Sequence, residues 1–566
     1  MKQAKKRSLF RKILKYILWG ILVFILAFTL YFFMAVRIQP PEIVNQSALE
    51  SNVTEISEGL FAAGNSRYRQ SESGIHELYA EGDAFERGVH AGKLTKALVQ
   101  KQEEAFTDEI KQMIPSESYL KFLKYMIAWF NRNIQDYIPD EYLHEIYGVS
   151  FAASGEFSYI GSNYERILNY HGAHDIGHAL NDLAMVGCTS FSLRGSETAD
   201  GSMILGRNFD FYVGDRFAED KIVAFYNPSQ GHRFVAVVWG GFIGVVSGMN
   251  DRGLTLTMNA AKSEIPIEAA APVSLIAREI LQYAETIEQA YEIAKKRQAF
   301  VSEAFMIGSQ HDKRTAIIEI TPKTVTLFDP GTERVIGPNH FQSEALKNTE
   351  SNVENIRESS SFYRYERMNE LLDENPKTDY RMAADILRNR FGKNGENIGL
   401  SNEKAINQLI AHHSVIFKPD ELKFWVSTSP YQLGKYVCYD LDSVFSSFPN
   451  MTVNREIYEE AYIVPPDSFL YNGGFDRFEL YKSLKKKIQK YTADAEDRAY
   501  RADLPKALIA SNLEYFYAYE LAGDYCAEYE QYENAETYYL KALEKEISTL
   551  PEKKRIQNKI EDISRD

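Results

Sequence analysis

The chain has 566 residues, which is enough for two or three domains. It is 45% hydrophobic and 25% charged, a composition typical of globular protein and not of a disordered chain. The net charge of −15 argues against nucleic acid as a partner, because binding to phosphates requires a basic surface. Three cysteines are too few for a disulfide scaffold, and no CxxC pair or zinc-type spacing is present.

The N-terminus has the pattern of a membrane anchor. Residues 16–36 carry no charge, and a helix of that length rises about 30 Å, enough to cross the hydrocarbon core. The charged residues that precede it are all basic, so the positive-inside rule predicts a cytoplasmic N-terminus and an exported chain after Arg37. The alternative is a cleaved signal peptide, but the flank MAVRIQPPE has no convincing cleavage site. The prediction is a single-pass protein of the cell membrane, with residues 1–37 as basic tail and signal anchor.

The rest of the chain alternates between strand-like and helical stretches. Residues 38–75 are polar and are interpreted as a linker, and residues 76–187 are mostly helical in pattern. From Cys188 onward come short strand-like runs, separated by turn signals such as Asp200-Gly201. Helical patterns return at residues 273–297, 354–374 and 380–390. This alternation predicts an α+β fold in which sheets are covered by helices.

The C-terminal part, residues 471–566, is helical and polar in pattern. Gly523, Ala535, Tyr539 and Ala542 occupy the small and aromatic positions of a single tetratricopeptide-like hairpin. Because one such repeat cannot bury its own face, this extension is expected to dock on the main domain. Its helices are also a candidate docking surface for a protein partner.

Cys188 opens the first strand of the β-rich stretch. A lone cysteine at such a position is usually a small buried apolar residue. A tight hairpin after it, however, would return Arg207 and Asp210 to its side. A guanidinium favours the reactive thiolate, and a carboxylate can hold a free α-amino group. The alternative for Arg207 and Asp210 is a structural ion pair or a turn cap.

Several segments, in the same order along the chain, resemble the motifs of one family. They are 84–92 (AFERGVHAG), 187–190 (GCTS), 206–210 (GRNFD), 249–254 (MNDRGL), 258–259 (MN), 338–341 (PNHF), 361–367 (SFYRYER), 414–417 (SVIF) and 425–427 (WVS). The sequence thereby resembles the N-terminal-nucleophile hydrolases, and within them the acyl-CoA:6-aminopenicillanic acid acyltransferase family. It is more distantly similar to choloylglycine hydrolases. The resemblance covers about residues 80–430 and leaves out the anchor and the C-terminal extension.

The resemblance implies a four-layer αββα sandwich that cuts its own chain. Residues 188–470 would form the core, and residues 76–187 would be the propeptide or small chain. The cut would fall between Gly187 and Cys188, where a glycine tolerates unusual backbone dihedrals. The α-amino group freed on Cys188 has an ordinary pKa of about 7.7–8.0, so it can act as the base for its own thiol.

The resemblance also implies roles for six residues. Cys188 would be the nucleophile, Asp210 would orient its α-amine, and Arg207 would support the thiolate or the polar end of the substrate. The remaining three roles concern the oxyanion and the charge network, and they fall on Asn339, Asn259 and Arg364.

Asn339 would donate a side-chain hydrogen bond to the oxyanion. Asn259 would supply a backbone N–H to the same hole or contact the substrate amide, and Arg364 would complete the charge network around the cysteine. Alternatives remain open for two of these residues. Asn339 is also placed to cap the turn after Gly337-Pro338, and Arg364 competes with Arg367 and with the role of a solvated helix arginine.

The predicted function is hydrolysis of a non-peptide amide bond, or acyl transfer from it, in an N-acylated small molecule. The acyl group would pass through a thioester on Cys188, without a cofactor or a metal. Hydrolysis is favoured because acyl-CoA is scarce outside the cytoplasm, where the catalytic domain is expected.

Three alternatives compete with this function. The first is a membrane-anchored scaffold or receptor with a degenerate hydrolase domain and no enzymatic activity. The second is an uncut Cys188 that acts as an ordinary thiol nucleophile, which would require a histidine base. The third is a metal site at the histidines of residues 171–178, which lacks an evident third ligand; the favoured interpretation of this segment is a part of the propeptide that lines the pocket.

Overall fold

The computed structural model describes residues 2–114, 116–172, 185–262 and 270–564. It begins with the apolar helix α1 (Lys2–Ala35). Within the described residues, one stretch is long and apolar enough to span a membrane, the segment Lys12–Ala35 of this helix, with a mean hydropathy of 2.5. The predicted N-terminal apolar helix is therefore confirmed.

The strands of the described residues form two large sheets and one small one. In chain order they are β1 (Thr54–Ser57), β2 (Leu60–Ala63), β3 (Ser66–Gln70), β4 (His76–Gly82), β5 (Met185–Val186), β6 (Thr189–Leu193), β7 (Ile204–Phe209), β8 (Phe211–Tyr212), β9 (Ile222–Pro228), β10 (Phe234–Val238), β11 (Ser247–Asn250), β12 (Leu254–Ala260), β13 (Glu303–Ser309), β14 (Arg314–Ile320), β15 (Val325–Phe328), β16 (Arg334–Gly337), β17 (His413–Lys418), β18 (Lys423–Ser427) and β19 (Tyr436–Asp440).

The first sheet has the order β1-β2-β3-β4-β9-β10-β11-β12-β13-β14-β15. Its strands pair in antiparallel fashion except β4 and β9, which are parallel. The second sheet has the order β16-β6-β7-β17-β18-β19, and β5 pairs with β8 in a small separate ribbon.

The helices cover the outer faces of the sheets and form the C-terminal extension. After α1 they are α2 (Ala84–Leu94), α3 (Lys96–Met113), α4 (Glu117–Phe130), α5 (Asp140–Ser150), α6 (Asn163–His171), α7 (Val273–Tyr283), α8 (Ile287–Lys296), α9 (Glu350–Glu358), α10 (Ser361–Glu374), α11 (Tyr380–Leu387), α12 (Leu441–Ser447), α13 (Gly474–Ala493), α14 (Asp503–Ser511), α15 (Phe516–Glu528), α16 (Tyr532–Leu543) and α17 (Leu550–Ile563).

The two large sheets pack face to face, and each has helices on its other side. Strand β10 shows why, because its side chains alternate between the two faces as the period of a strand requires. Phe234 packs in the apolar cluster shared with α7 and α8. Val235 and Val237 pack in the cluster between the sheets, together with Phe417 of the second sheet. A third cluster joins the second sheet to α10 and α11. These layers confirm the predicted αββα sandwich.

Residues 54–70, inside the segment expected to be a linker, form strands β1–β3 at the edge of the first sheet. The polar sequence of these residues does not indicate strands, because their charged side chains find partners inside the fold. Arg69 is buried and forms ion pairs with Glu77 and Glu456. From the sequence alone, a charged side chain that is buried and ion-paired in the fold cannot be distinguished from one exposed to solvent.

The predicted helix at residues 273–297 is divided in the structure into α7 and α8. The break follows from Thr286, whose side chain accepts a hydrogen bond from the backbone N–H of Gln289 and caps the second helix.

The C-terminal helices α13–α17 dock on the main domain. Within this extension α15 and α16 form a close pair, since a Cβ on Gly523 would lie 2.4 Å from the ring of Tyr539. The side-chain amide of Asn512 donates to the carbonyl of Leu400 and its oxygen accepts from the N–H of Leu400, both at 2.9 Å. Asn402 donates in turn to the carbonyl of Glu546 at 2.8 Å. The extension therefore supports the loop that precedes β17.

Candidate active site

Cys188 lies at the start of β6 and is 1% exposed. Strands β6 and β7 form an antiparallel hairpin in which Ser190 pairs with Arg207. This hairpin brings Arg207 to the side of Cys188, as the turn at Asp200-Gly201 predicted, and Asp210 follows directly after β7.

Arg207 is a charged hydrogen-bond partner of the thiol. Its Nη2 donates to Cys188 Sγ at 3.4 Å and also to the carbonyl oxygen of Met258, and its Nη1 donates to Ser247 Oγ at 2.8 Å. Its guanidinium lies 4.3 Å from the ring centre of Phe209. Burial raises the pKa of Cys188 above its usual value, and Arg207 acts in the opposite direction. The guanidinium therefore supports the thiolate form at a site that otherwise disfavours it.

Asp210 is fully buried, and within the described residues neither carboxylate oxygen has a hydrogen-bond partner. Its backbone carbonyl accepts from the N–H of Gly187 at 3.1 Å. Burial raises the pKa of Asp210 to about 7, although Arg364 and Arg207 oppose the shift. A buried carboxylate without a donor is costly unless a further group comes to pair with it.

The raised pKa of Asp210 predicts how the stability of the uncut chain depends on pH. In the folded chain this carboxyl keeps its proton up to about pH 7, whereas in the unfolded chain it loses the proton near pH 4. The folded state thus binds more protons between these values, and its stability falls as pH rises from about 4 to 7. The fall should be smaller in Cys188→Ala/Asp210→Asn than in Cys188→Ala, measured by thermal melting at each pH. Equal slopes in the two variants would contradict the assignment.

Arg364 connects the cysteine strand to Asn339. Its Nε donates to Thr189 Oγ1 at 3.1 Å, its Nη2 to Asn339 Oδ1 at 2.6 Å, and its Nη1 to the carbonyl of Glu403 at 2.6 Å. Asn339 Nδ2 donates to the carbonyl of Ala260 at 2.8 Å. The side chain of Arg364 is buried and so does not fit the alternative of a solvated helix arginine.

Arg367, the competing arginine, points to a different set of partners. It forms ion pairs with Glu370 at 2.9 Å and with Glu374 at 3.3 Å, both on its own helix. Of the two arginines, Arg364 is the one whose contacts reach the residue next to Cys188.

Asn259 bridges the two sheets. Its Nδ2 donates to Ser190 Oγ at 2.9 Å and to the carbonyl of Gly337 at 2.6 Å, which joins β12 of the first sheet to β6 and β16 of the second. Its side chain thus reaches Ser190, two residues from Cys188, and within the described residues it forms no hydrogen bond with the thiol.

Two further sets of residues at this site were missed in the sequence. Gln408 donates from Nε2 to the carbonyl oxygen of Gly187 at 2.7 Å. His413 Nε2 lies 2.9 Å from Ser247 Oγ, the same hydroxyl that Arg207 binds, and His412 Nδ1 lies 2.8 Å from His413 Nδ1. Neither set belongs to a recognisable motif, and both reach the site from the loop and strand that follow residue 400.

The two histidines support Arg207 and do not contact the thiol. Burial lowers the pKa of His412 and His413 well below the usual range, so both are neutral. Within the described residues, no histidine forms a hydrogen bond with Cys188 Sγ. This geometry offers no support for an uncut thiol with a histidine base.

The histidine-rich segment before the cysteine is described only in part, since His174 and His178 lie outside the described residues. His171 is buried, and its Nε2 accepts from the backbone N–H of Ile243 at 2.9 Å. Burial lowers its pKa to about 4. This histidine therefore has a packing role in the interior.

The two-sheet sandwich thus holds a buried cysteine with an arginine beside it and a buried aspartate at the end of the next strand. The sequence model of the family described as acyl-coenzyme A:6-aminopenicillanic acid acyl-transferase matches residues 196–428. The predicted resemblance to this family is thus confirmed for that stretch, which includes Arg207, Asp210, Asn339 and Arg364 and begins after Cys188.

Two curated proteins match about half of the chain. One is an uncharacterised protein of Archaeoglobus fulgidus, 26% identical over 266 residues, which are 44% of this chain and 44% of that protein. The other is protein dcd1A of Dictyostelium discoideum, 22% identical over 284 residues, which are 46% of this chain and 60% of that protein. The chain thus spans less than two thirds of the length of either relative.

Solved structures with partial similarity include a Caenorhabditis elegans ortholog of N-acylethanolamine-hydrolyzing acid amidase. It is 14% identical, covers 41% of this chain and 93% of its own, and has a TM-score of 0.30. A conjugated bile acid hydrolase mutant of Clostridium perfringens is 14% identical, with coverages of 45% and 92% and a TM-score of 0.30. The penicillin V acylase of Agrobacterium tumefaciens is 12% identical, with coverages of 45% and 86% and a TM-score of 0.31. TM-scores this low support no conclusion about the function of this chain.

Proposed function

We propose that this protein is a self-processing cysteine amidohydrolase. The observation that carries the proposal is the buried thiol of Cys188, which lies directly after Gly187 and beside the guanidinium of Arg207. The carboxylate of Asp210, at the end of the neighbouring strand, has no hydrogen-bond partner among the described residues. Self-cleavage creates an α-amino group on Cys188, and a new cation at this place would give the carboxylate of Asp210 a partner of the kind that it lacks within the described residues.

The reaction of the cut enzyme follows from these groups. The α-amine of Cys188 takes the proton of its own thiol, and the thiolate attacks the acyl carbon of the amide. Asn339, held by Arg364, donates to the developing oxyanion. The α-amine then gives its proton to the leaving nitrogen, and water releases the acyl group from the thioester. Asp210 stabilises the ammonium form of the amine while the thiolate exists.

The proposed substrate is an N-acylated small molecule with an apolar acyl part. Cys188 belongs to an apolar cluster that also contains Phe209, Trp239 and Phe242. Burial of hydrocarbon in such surroundings is favourable by about 0.8 kcal/mol for each CH₂ group. Hydrolysis is proposed over acyl transfer because acyl-CoA is scarce outside the cytoplasm, where the catalytic domain is proposed to lie.

The alternative is a scaffold that has lost its activity. A site that has lost its activity gains nothing from keeping a buried carboxylate for which the described residues offer no hydrogen-bond partner, because replacing it would relieve the cost of desolvation. The state of Asp210 therefore supports an enzyme. The test compares wild-type and Cys188→Ala chains for release of acid from N-acyl amides; equal rates would leave the scaffold as the better account.

We further propose that α1 anchors the protein in the cell membrane, with the catalytic domain outside the cytoplasm. Contacts between α1 and α4 support this arrangement. The ring of Trp129 stacks on Phe32 at 5.3 Å, and Tyr125 lies 6.0 Å from Phe33. Phe122, on the same helix, is 55% exposed. An apolar face of α4 next to the end of the apolar helix suits the boundary of a bilayer.

This arrangement makes a direct prediction. The full chain should stay with the membrane fraction at alkaline pH, and protease added to intact cells should remove the folded domain, because the domain lies outside. Release of a soluble chain that begins after residue 36 would instead establish a cleaved signal peptide.

A further inference from the structure

Gly187, the residue that carries the carbonyl of the bond before Cys188, is held through both its own N–H and its carbonyl oxygen. The N–H of Gly187 donates to the carbonyl of Asp210 at 3.1 Å. The carbonyl oxygen of Gly187 accepts from Nε2 of Gln408 at 2.7 Å. Gln408 is 2% exposed and lies 221 positions along the chain from Gly187. A buried amide donor thus contacts the oxygen on which charge would develop if the thiol attacked this bond.

The same contact explains why residue 187 is glycine. A Cβ added to Gly187 would lie 2.5 Å from Nε2 of Gln408 and 3.0 Å from its Oε1. Gly187 is not among the glycines with a positive φ. Contrary to the expectation, Gly187 is therefore not required for an unusual backbone conformation. It is required because the absence of a side chain lets the amide of Gln408 approach the carbonyl oxygen.

We propose that the side-chain amide of Gln408 is the oxyanion donor for self-cleavage. This inference rests on the proposed self-processing. The sulfur of Cys188 bonds to the carbonyl carbon of Gly187, and the electron pair of the C=O bond moves to the oxygen, where Gln408 donates. Collapse of the tetrahedral intermediate breaks the C–N bond. The nitrogen takes the proton that the thiol gave up and becomes the α-amino group of Cys188. Water then hydrolyses the thioester to the Gly187 carboxylate and the thiol.

The loop around Gln408 fixes the donor before the reaction begins. The backbone N–H of Asn407 donates to the carbonyl of Asn389 at 2.8 Å, and Asn407 Oδ1 accepts from the N–H of Leu409 at 2.9 Å. Earlier in this loop, Leu400 and Asn402 are bonded to the C-terminal extension. A donor held in place in a dry site stabilises an oxyanion without reorganising during the reaction.

The test follows cleavage of the full chain by pulse-chase labelling in cells. Gln408→Met keeps much of the volume but removes the donor, and Gln408→Ala removes the side chain. Both should slow cleavage by about 10²–10³-fold, the loss typical of one oxyanion donor. The matched control is Gln432→Ala, because Gln432 is also a buried glutamine and neither of its side-chain polar atoms has a hydrogen-bond partner within the described residues. This control should be cut at the wild-type rate.

A second arm adds hydroxylamine, which cleaves thioesters. If Gln408 acts on the attack of the thiol, hydroxylamine should leave the Gln408 variants slow, because little thioester forms. Restoration of the wild-type cleavage rate by hydroxylamine would overturn the proposal. Cleavage of Gln408→Met at the wild-type rate without hydroxylamine would overturn it as well. Loss of the fold in both variants, seen by thermal melting, would make Gln408 a structural residue and overturn it too. A wild-type chain that is never cut would instead refute self-processing itself.

Discussion

Replacing Cys188 with alanine is expected to abolish both self-cleavage and amide hydrolysis. The wild-type chain of 64.8 kDa should yield pieces of about 21 and 43 kDa, in proportion to the residues before and after the Gly187–Cys188 bond. The variant has no sulfur to attack either bond, so it should remain a single band. Its hydrolysis of N-acyl amides should fall by roughly 10⁴-fold or more, as for other enzymes that lose their nucleophile.

The chain offers a matched control for this experiment. Cys438 is also buried, but it lies on β19, and Cys438→Ala should be cut and should hydrolyse amides like the wild type. Cleavage of Cys188→Ala at the same bond would show that another protease processes the chain and would remove the thiol from that step.

Changing Arg364 to lysine is expected to lower kcat/KM for amide hydrolysis by about 10²-fold. Lysine keeps the positive charge but cannot reproduce the fork that binds Thr189, Asn339 and the carbonyl of Glu403 together. Asn339 then loses the partner of its Oδ1 and keeps only the bond from its Nδ2 to the carbonyl of Ala260, so the amide proposed to bind the oxyanion is held less firmly. The measurement is the steady-state rate with one N-acyl amide at several concentrations.

Arg367→Lys is the matched control, because both arginines are buried on α10 and lie three residues apart. Arg367 is paired with Glu370 and Glu374, and lysine can keep one of these ion pairs. Its kcat/KM should change by no more than about twofold. Equal losses in the two variants would indicate a general effect of disturbing α10 and would contradict the positioning role of Arg364.

The local parts of the site could be predicted from the sequence. The hairpin of β6 and β7 is such a part, because the turn at Asp200-Gly201 and the strand runs on either side predict that Arg207 returns to Cys188. The apolar helix α1 is another, since length and hydropathy suffice to predict it.

Contacts between distant parts of the chain could not be predicted in this way. The helical pattern of residues 361–374 buries both Arg364 and Arg367, so their roles are separated only by partners that lie up to 175 positions away. Gln408 stands in a polar loop without a motif, and its contact with Gly187 exists only after the sheets have packed. The strands at residues 54–70 were missed for a related reason, because their charged residues find their partners inside the fold.

In the proposed reaction Cys188 becomes an N-terminal nucleophile that carries the acyl group. The most direct measurement expresses the full-length chain, purifies the resulting protein and exposes it briefly to an N-acyl amide. The intact masses of its pieces are then measured, and the N-terminus of the larger piece is sequenced. The larger piece is expected to begin at Cys188, to gain the mass of the acyl group on that residue, and to lose it in hydroxylamine. An uncut chain, or an acyl group attached elsewhere, would contradict the account.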